Sequence, residues 1–293
     1  MTVGLSTGLT AAAIVAGVFG LLIGSFANVV VYRVPAGMSV VAPASACPRC
    51  GRSIRAWDNV PVLSWLLLRG RCRDCHEPIA ARYPLVEFGT GAFFAVAAAW
   101  WWLAQFGGGE AALLGSTPLL ISRFIVLIAF LYLAAVSVVL ALIDVDTHTL
   151  PNRIVLPSYL VAIIAFAAAT VLDADGAALL RAGIGLMALW LVYLILAIVY
   201  PGGMGFGDVK LAGLLGVYLG WVGWGPLIVG GFAAFVLGGI FSIVLLATRR
   251  AGRKSGIPFG PWMLAGAWLG VFFGTTIWNA YLAAIGFSSI GAA

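Results

Sequence analysis

Two groups of side chains in this 293-residue chain have the types and spacing that chemistry needs. The first is a pair of aspartates, Asp144 and Asp208, each set against a long apolar run. An ionisable group at such a place is costly to bury, so it is a functional candidate by default. Asp144 and Asp146 stand in Ile143-Asp144-Val145-Asp146-Thr147-His148, and Asp208 follows Gly205-Phe206-Gly207. Two carboxyl groups sharing one proton can hydrolyse a peptide without a metal or a covalent intermediate. The ionised one activates water while its protonated partner polarises the carbonyl. Asp144 and Asp146 are two apart, so on a helix they point to different sides and only one can face Asp208. Asp144 is assigned to the pair, with Asp146 as a supporting group. Gly205 and Gly207 can take backbone angles closed to other residues, admit a substrate strand, and leave Asp208 near a helix start. The plainer reading of that stretch is a flexible loop with an aspartate as helix cap. His148 lies one helical turn after Asp144, but Pro151 signals the end of that helix and no catalytic role is assigned to it.

The second group is the four cysteines, in Cys47-Pro48-Arg49-Cys50 and Cys72-Arg73-Asp74-Cys75, with 21 residues between the pairs. A two-residue spacing lets both sulfurs of a pair point at one ion, and two such knuckles complete a tetrahedral zinc shell. Neighbouring arginines favour the thiolate form. Redox pairs and four ordinary thiols are the rival readings. A reducing compartment disfavours standing disulfides. A stretch of about 50 residues buries little core of its own, so a metal staple suits it. His76, next to Cys75, is a possible substitute ligand or a plain loop residue.

These groups must be positioned by helices in lipid. Hydrophobic residues make up 63% of the chain and charged residues 9%, with mean hydropathy +1.10. A soluble globule carries about 25% charge to face water. Soluble enzymes, disulfide scaffolds, coiled coils and disordered tails are therefore excluded. Eight apolar runs approach the roughly 20 residues a membrane helix needs: 8–32, 88–105, 119–143, 154–172, 177–200, 209–223, 226–247 and 258–285. The division at Trp224-Gly225-Pro226 is the thinnest. The first run has no preceding cationic segment and exceeds a signal-peptide core, so it reads as a retained helix.

The net charge of +6 reflects topology rather than nucleic-acid binding. Arg33, Arg49, Arg52, Arg55, Arg69, Arg71, Arg73 and Arg82 share one inter-span loop, and Arg249, Arg250, Arg253 and Lys254 share another. With both loops cytoplasmic, eight spans place fourteen of the sixteen cations inside and only Arg123 and Arg181 outside, as the positive-inside rule requires. The N-terminus is then outside, and the cysteine loop, Asp144 and Asp208 lie at the cytoplasmic face. Glu110, Asp173 and Asp175 fall on the outer side.

With these elements in place the chain resembles the bacterial type IV prepilin peptidases, bifunctional leader peptidase/N-methyltransferases within the Gly-x-Gly-Asp intramembrane aspartic proteases. The resemblance is carried by Gly24-Ser25-Phe26-Ala27-Asn28 through Val34-Pro35 in the first span and by the paired cysteines with Asn59-Val60-Pro61-Val62-Leu63-Ser64-Trp65. Asp144, six residues before Leu150-Pro151-Asn152, and Gly205-Phe206-Gly207-Asp208 complete it. It covers nearly the whole chain. Asn152 stands where many relatives carry Asp, and Ala27 where leucine is common.

The resemblance implies an all-α polytopic membrane protein of about eight transmembrane helices, with a small cytosolic zinc-ribbon-like domain inserted after the first. The expected divisions are 1–33 for the first helix, 34–84 for the zinc-binding, methyltransferase-associated domain and 85–293 for the peptidase. It implies cleavage of the basic leader from type IV prepilins and type II secretion pseudopilins at the inner membrane. Asp144 and Asp208 would be the catalytic pair, with methylation of the new N-terminus from S-adenosylmethionine. Zinc on Cys47, Cys50, Cys72 and Cys75 would be structural. Membrane lipids are partners, nucleic acid is not, and no residue is assigned to the methyl donor. Two other classes compete. A thiol–disulfide redox protein wants its cysteines on the outer face, and a proton- or cation-coupled transporter wants mid-membrane carboxylates in repeated halves. Neither fits the charge count, and no repeat is visible.

Overall fold

The computed structural model describes residues 2–107, 116–200, 204–248 and 257–287. The Arg249–Lys254 cation cluster and Glu110, both used in the sequence reading, lie outside that set. The described residues form helices α1 (Thr2–Arg33), α2 (Leu63–Leu67), α3 (Arg82–Phe106), α4 (Thr117–Thr147), α5 (Asn152–Asp173), α6 (Gly176–Val199), α7 (Phe206–Val222), α8 (Trp224–Ala247) and α9 (Gly260–Ala284). Among these residues the only β structure is two isolated bridges, in the cysteine loop.

Each of the eight expected runs lies on its own long helix. α1, α3, α4, α5, α6 and α8 are long and apolar enough to cross a membrane, so this is a multi-pass membrane protein. The expectation of eight crossings is met for six: α7 has only 17 residues, and α9 is not among the helices that qualify. A narrow break is present but not at Trp224-Gly225-Pro226, which open α8; it falls at Gly223, between the end of α7 at Val222 and the start of α8 at Trp224.

The chain forms two compact units, residues 1–139 and 140–293. In the first, α1 packs along α3. The crossing uses small residues, as helix pairs in lipid do: a Cβ on Gly20 would lie 2.7 Å from Phe94 Cβ, and one on Gly91 2.8 Å from Leu21 Cδ2. The loop between them is tied to both. Arg33 donates to the carbonyls of Ser39 (3.0 Å) and Pro43 (2.7 Å). Asn28 donates to the Tyr83 carbonyl at 3.2 Å. Glu87 of α3 accepts the Val62 N–H at 2.7 Å, fixing the turn that starts α2, where Val62 has φ 63°. Trp65 donates to the Ile79 carbonyl at 3.0 Å and packs on Gly70, while Trp57 stays exposed.

In the second unit α7 is the centre. It packs on α5, α6, α8 and α9, and its residues from Leu211 to Gly220 are all buried. A helix apolar all round can be covered by protein on every side. α6 and α7 meet backbone to backbone. A Cβ on Gly216 would lie 2.2 Å from the Gly185 carbonyl oxygen, and one on Gly220 2.4 Å from that of Arg181. Arg181 donates to the Gly220 and Trp221 carbonyls, each at 3.3 Å, placing a cation on the C-terminal carbonyls of α7 where the helix dipole favours it. Gly216→Ala has no side-chain rotamer to yield, so it is expected to cost about 1–3 kcal/mol through forced separation of the helices. A lowered unfolding temperature in detergent is the readout. An unchanged temperature would contradict this packing.

Candidate active site and metal centre

Asp144 and Asp208 both belong to the second unit. α4 continues past the expected end at 143 to Thr147, so Asp144 sits on its last turn. The helix stops where His148 turns to φ 53°, its N–H bonded to the Asp144 carbonyl at 2.8 Å. His148 is thus the residue that ends the helix. The phase argument holds: Asp144 is 5% exposed, while Asp146 faces outward.

Asp208 is 9% exposed and occupies the first turn of α7, three residues after Gly205, which caps the helix. Its Oδ2 accepts the Gly205 N–H at 3.0 Å. The aspartate is therefore not the cap residue but reaches back to it. The expectation of unusual backbone angles at the two glycines needs correction. Gly205 is extended, with φ −78° and ψ 149°, and Gly207 is helical, so neither position demands glycine for its angles. Gly207 is tight for another reason: a Cβ there would lie 3.0 Å from Leu150 Cβ.

The carboxylate of Asp144 is held from elsewhere in the chain. Its Oδ2 accepts the N–H of Gly260, in the first turn of α9, at 2.9 Å. A Cβ on Gly260 would lie 3.3 Å from Leu150 Cδ2. One leucine thus touches both the glycine that holds Asp144 and the glycine that precedes Asp208. Asp144 is one of the charges that act on Asp208. Among the described residues, each carboxylate has Oδ2 on a backbone N–H and no protein donor on Oδ1. Neither Oδ1 is a sealed, unsatisfied atom. Such an oxygen can receive a proton from water. Two residues after Asp208, the Lys210 ammonium donates to Asn152 Oδ1 at 2.9 Å and lies 4.9 Å over the Phe206 ring.

Gly260 was not singled out by sequence reasoning. Its signal is the turn-forming Pro258-Phe259-Gly260-Pro261, which marks a helix start but does not say which side chain that start meets.

In the first unit the four cysteines converge. Cys47, Cys50, Cys72 and Cys75 place their sulfurs within 4.8 Å of one another, with Cys47 and Cys75 3.7 Å apart, and all four are free thiols. Each knuckle folds alike: Gly51 N–H bonds the Cys47 carbonyl at 2.9 Å, and His76 N–H the Cys72 carbonyl at 3.0 Å. His76, at φ 59°, fills the left-handed place that Gly51, at φ 69°, fills in the first knuckle. That makes it a turn residue, outside the ligand cluster. The Cys47 sulfur accepts the N–H groups of Cys50 and Arg49, and its pKa falls to about 7. Cys75 receives the Glu77 N–H, but desolvation and the crowding sulfurs of Cys72, Cys47 and Cys50 push it up to about 12. Four thiolates at this spacing need a cation among them, and the cluster could hold a metal ion. Arg73 braces the loop by donating to Asp58 at 2.9 Å, which holds Asp58 below the usual carboxylate range. Arg52 and Arg55 pair with Asp74 at 2.9 and 3.3 Å.

Carboxylates buried in a multi-pass membrane protein mark a class, membrane proteins whose function rests on buried acids. Comparison with known proteins narrows it. Residues 18–102 match the Bacterial Peptidase A24 N-terminal domain, and residues 131–243 match the Type IV leader peptidase family. A Pseudomonas putida protein named prepilin leader peptidase/N-methyltransferase is 36% identical over 294 residues, covering 92% of this chain and 93% of the relative. Proteins of the same name from Pseudomonas aeruginosa (33% identical, 92% of each chain) and Burkholderia pseudomallei (34%, 88% of this chain and 84% of the relative) are similar to it. No solved structure matches it significantly. The chain belongs to the type IV leader peptidase family and is a peptidase and N-methyltransferase enzyme of that family. Neither a redox protein nor a transporter is favoured.

Proposed function

We propose that this enzyme removes the leader peptide from type IV prepilins and type II secretion pseudopilins by direct attack of water, with Asp144 and Asp208 as the acid–base pair. The observation that carries the reading is the pair itself: two buried carboxylates in one compact unit, each held through one oxygen and open at the other. The pair shares one proton. The ionised member takes a proton from water as its oxygen attacks the scissile carbonyl, and the protonated member gives its proton to that carbonyl oxygen. Collapse of the tetrahedral intermediate returns a proton to the leaving amine and frees the new N-terminus. Gly205, Gly207 and Asp146 support the site, the first through its N–H.

The division into residues 1–33, 34–84 and 85–293 accompanies this reading, with 34–84 as the part associated with methyl transfer. S-adenosylmethionine is the co-substrate, and no residue is assigned to it. Zinc is the metal that four thiolates at this spacing suit, and Cys47, Cys50, Cys72 and Cys75 would hold it, fixing the loop. The cation distribution supports a bacterial inner-membrane protein with its N-terminus outside, and with the cysteine loop and both aspartates at the cytoplasmic face. The test is incubation of the purified protein with a membrane-inserted prepilin and labelled S-adenosylmethionine. Leader release followed by label on the new N-terminus is the expected result. An intact precursor under conditions where a known family member cleaves it would refute the reading.

A further inference from the structure

We propose that Gly260 is a positioning residue for the aspartate pair: its N–H aims the Asp144 carboxylate, and its missing side chain makes the space in which that carboxylate lies. This rests on the reading of Asp144 and Asp208 as the catalytic acids.

The first N–H groups of a helix have no partner within it. In α9 the Gly260 N–H is used on Asp144 Oδ2, across 116 residues of sequence, in a buried hydrogen bond of 2.9 Å. The glycine is not needed for a turn, because Gly260 is not among the residues with positive φ. It is needed for room. A Cβ at 260 would stand 2.7 Å from Asp144 Oδ2 and 3.3 Å from its carboxyl carbon, closer than a methyl group can approach. Any side chain there must push the carboxylate aside or move the start of α9.

The start of α9 is poorly placed to move. Phe259 is ringed by Phe235 at 5.6 Å and Tyr193 at 6.3 Å, and a Cβ on Gly238 would meet its ring at 2.9 Å. Pro261 stiffens the first turn. Leu150 stands against both Gly260 and Gly207, a further obstacle to movement at 260. The two acids are therefore held differently. Asp208 is oriented by its own helix start through Gly205, and Asp144 only by a helix that carries neither acid. Removing the Gly260 contact should misaim one carboxylate and leave the other in place.

Gly260→Ala should lower kcat for leader release about 100-fold, since a misplacement near 1 Å has that effect on oriented groups. KM should stay within about threefold, because substrate binding does not use this contact. The pH–rate profile of the remaining activity should move, as the group that loses its hydrogen-bond donor is one that titrates. Gly239→Ala is the control: it adds the same methyl on α8, where nothing lies within 4 Å, and should match the parent in kcat, KM and pH profile. If Gly260→Ala does not fold, glycolic acid incorporated at position 260 decides. It replaces the N–H with an ester oxygen, adds no atom, and should lower kcat about 10- to 100-fold. Parental kcat and pH profile in either folded protein would overturn the proposal. Asp144→Asn and Asp208→Asn in the same assay separate the two ideas. If they are inactive while the position-260 proteins are unaffected, positioning alone fails. If they cleave normally, the catalytic assignment beneath it fails.

Discussion

Asp144→Asn and Asp208→Asn are each expected to lower leader release by about a thousandfold or more, the scale of a lost acid–base group. Asn keeps the shape of Asp and still offers an oxygen to the N–H that each aspartate now receives, from Gly260 in one case and Gly205 in the other. The fold should survive, so the loss reports the missing proton carrier. Asp146→Asn, at an outward-facing position on the same turn, should keep most of the rate. The measurement is the shift of a prepilin band on a gel against enzyme concentration. Normal cleavage by Asp144→Asn together with an inactive Asp146→Asn would mean that the wrong acid has been paired with Asp208.

The second large effect concerns the cysteines. Elemental analysis of protein purified without chelator should give close to one zinc per chain, and Cys47→Ser or Cys72→Ser should abolish it. Structural zinc supplies about 10–16 kcal/mol of apparent binding energy to small domains that depend on it. The contacts left in its absence cannot replace that. The Arg49–Glu77, Arg52–Asp74 and Arg55–Asp74 pairs join side chains with exposed guanidinium ends, and such pairs are worth about 0–1 kcal/mol each. Either variant should therefore expose the stretch between Arg33 and Arg82 to limited proteolysis. Methyl transfer should be lost, while leader release continues at a reduced rate. Metal-free protein with two disulfides would instead revive the redox reading of the same four residues.

Much of this arrangement is legible in the sequence because lipid imposes simple rules. Every expected run became a helix, although the break expected at Trp224-Gly225-Pro226 falls at Gly223. What hydropathy misses is the end of a helix whose last turn is polar. α4 runs on through Asp144 to Thr147, and α3 begins at Arg82, six residues before the apolar run, because helical hydrogen bonding does not stop where lipid does. The separation of Asp144 from Asp146 was readable from helical phase. The role of Gly260 was not, since its meaning lies in a contact 116 residues away. Glu87 is likewise silent in the sequence. It accepts the Val62 N–H, a backbone contact that no spacing rule announces.

α7 is the element whose sequence says least about its place. By composition it could face lipid, yet its neighbours are four other helices, so the medium in which it is dissolved is protein. Lipid accepts any apolar shape and flows around it, whereas a protein interior is packed like an organic crystal. Residues on the outer side of α6, such as Leu180 and Ile184, are exposed and can exchange with other apolar residues at little cost. Along α7, from Leu211 to Gly220, volume rather than polarity sets what is tolerated. A change in bilayer thickness or lipid composition accordingly acts on the buried stretch of the helix that carries Asp208 through the helices packed around it.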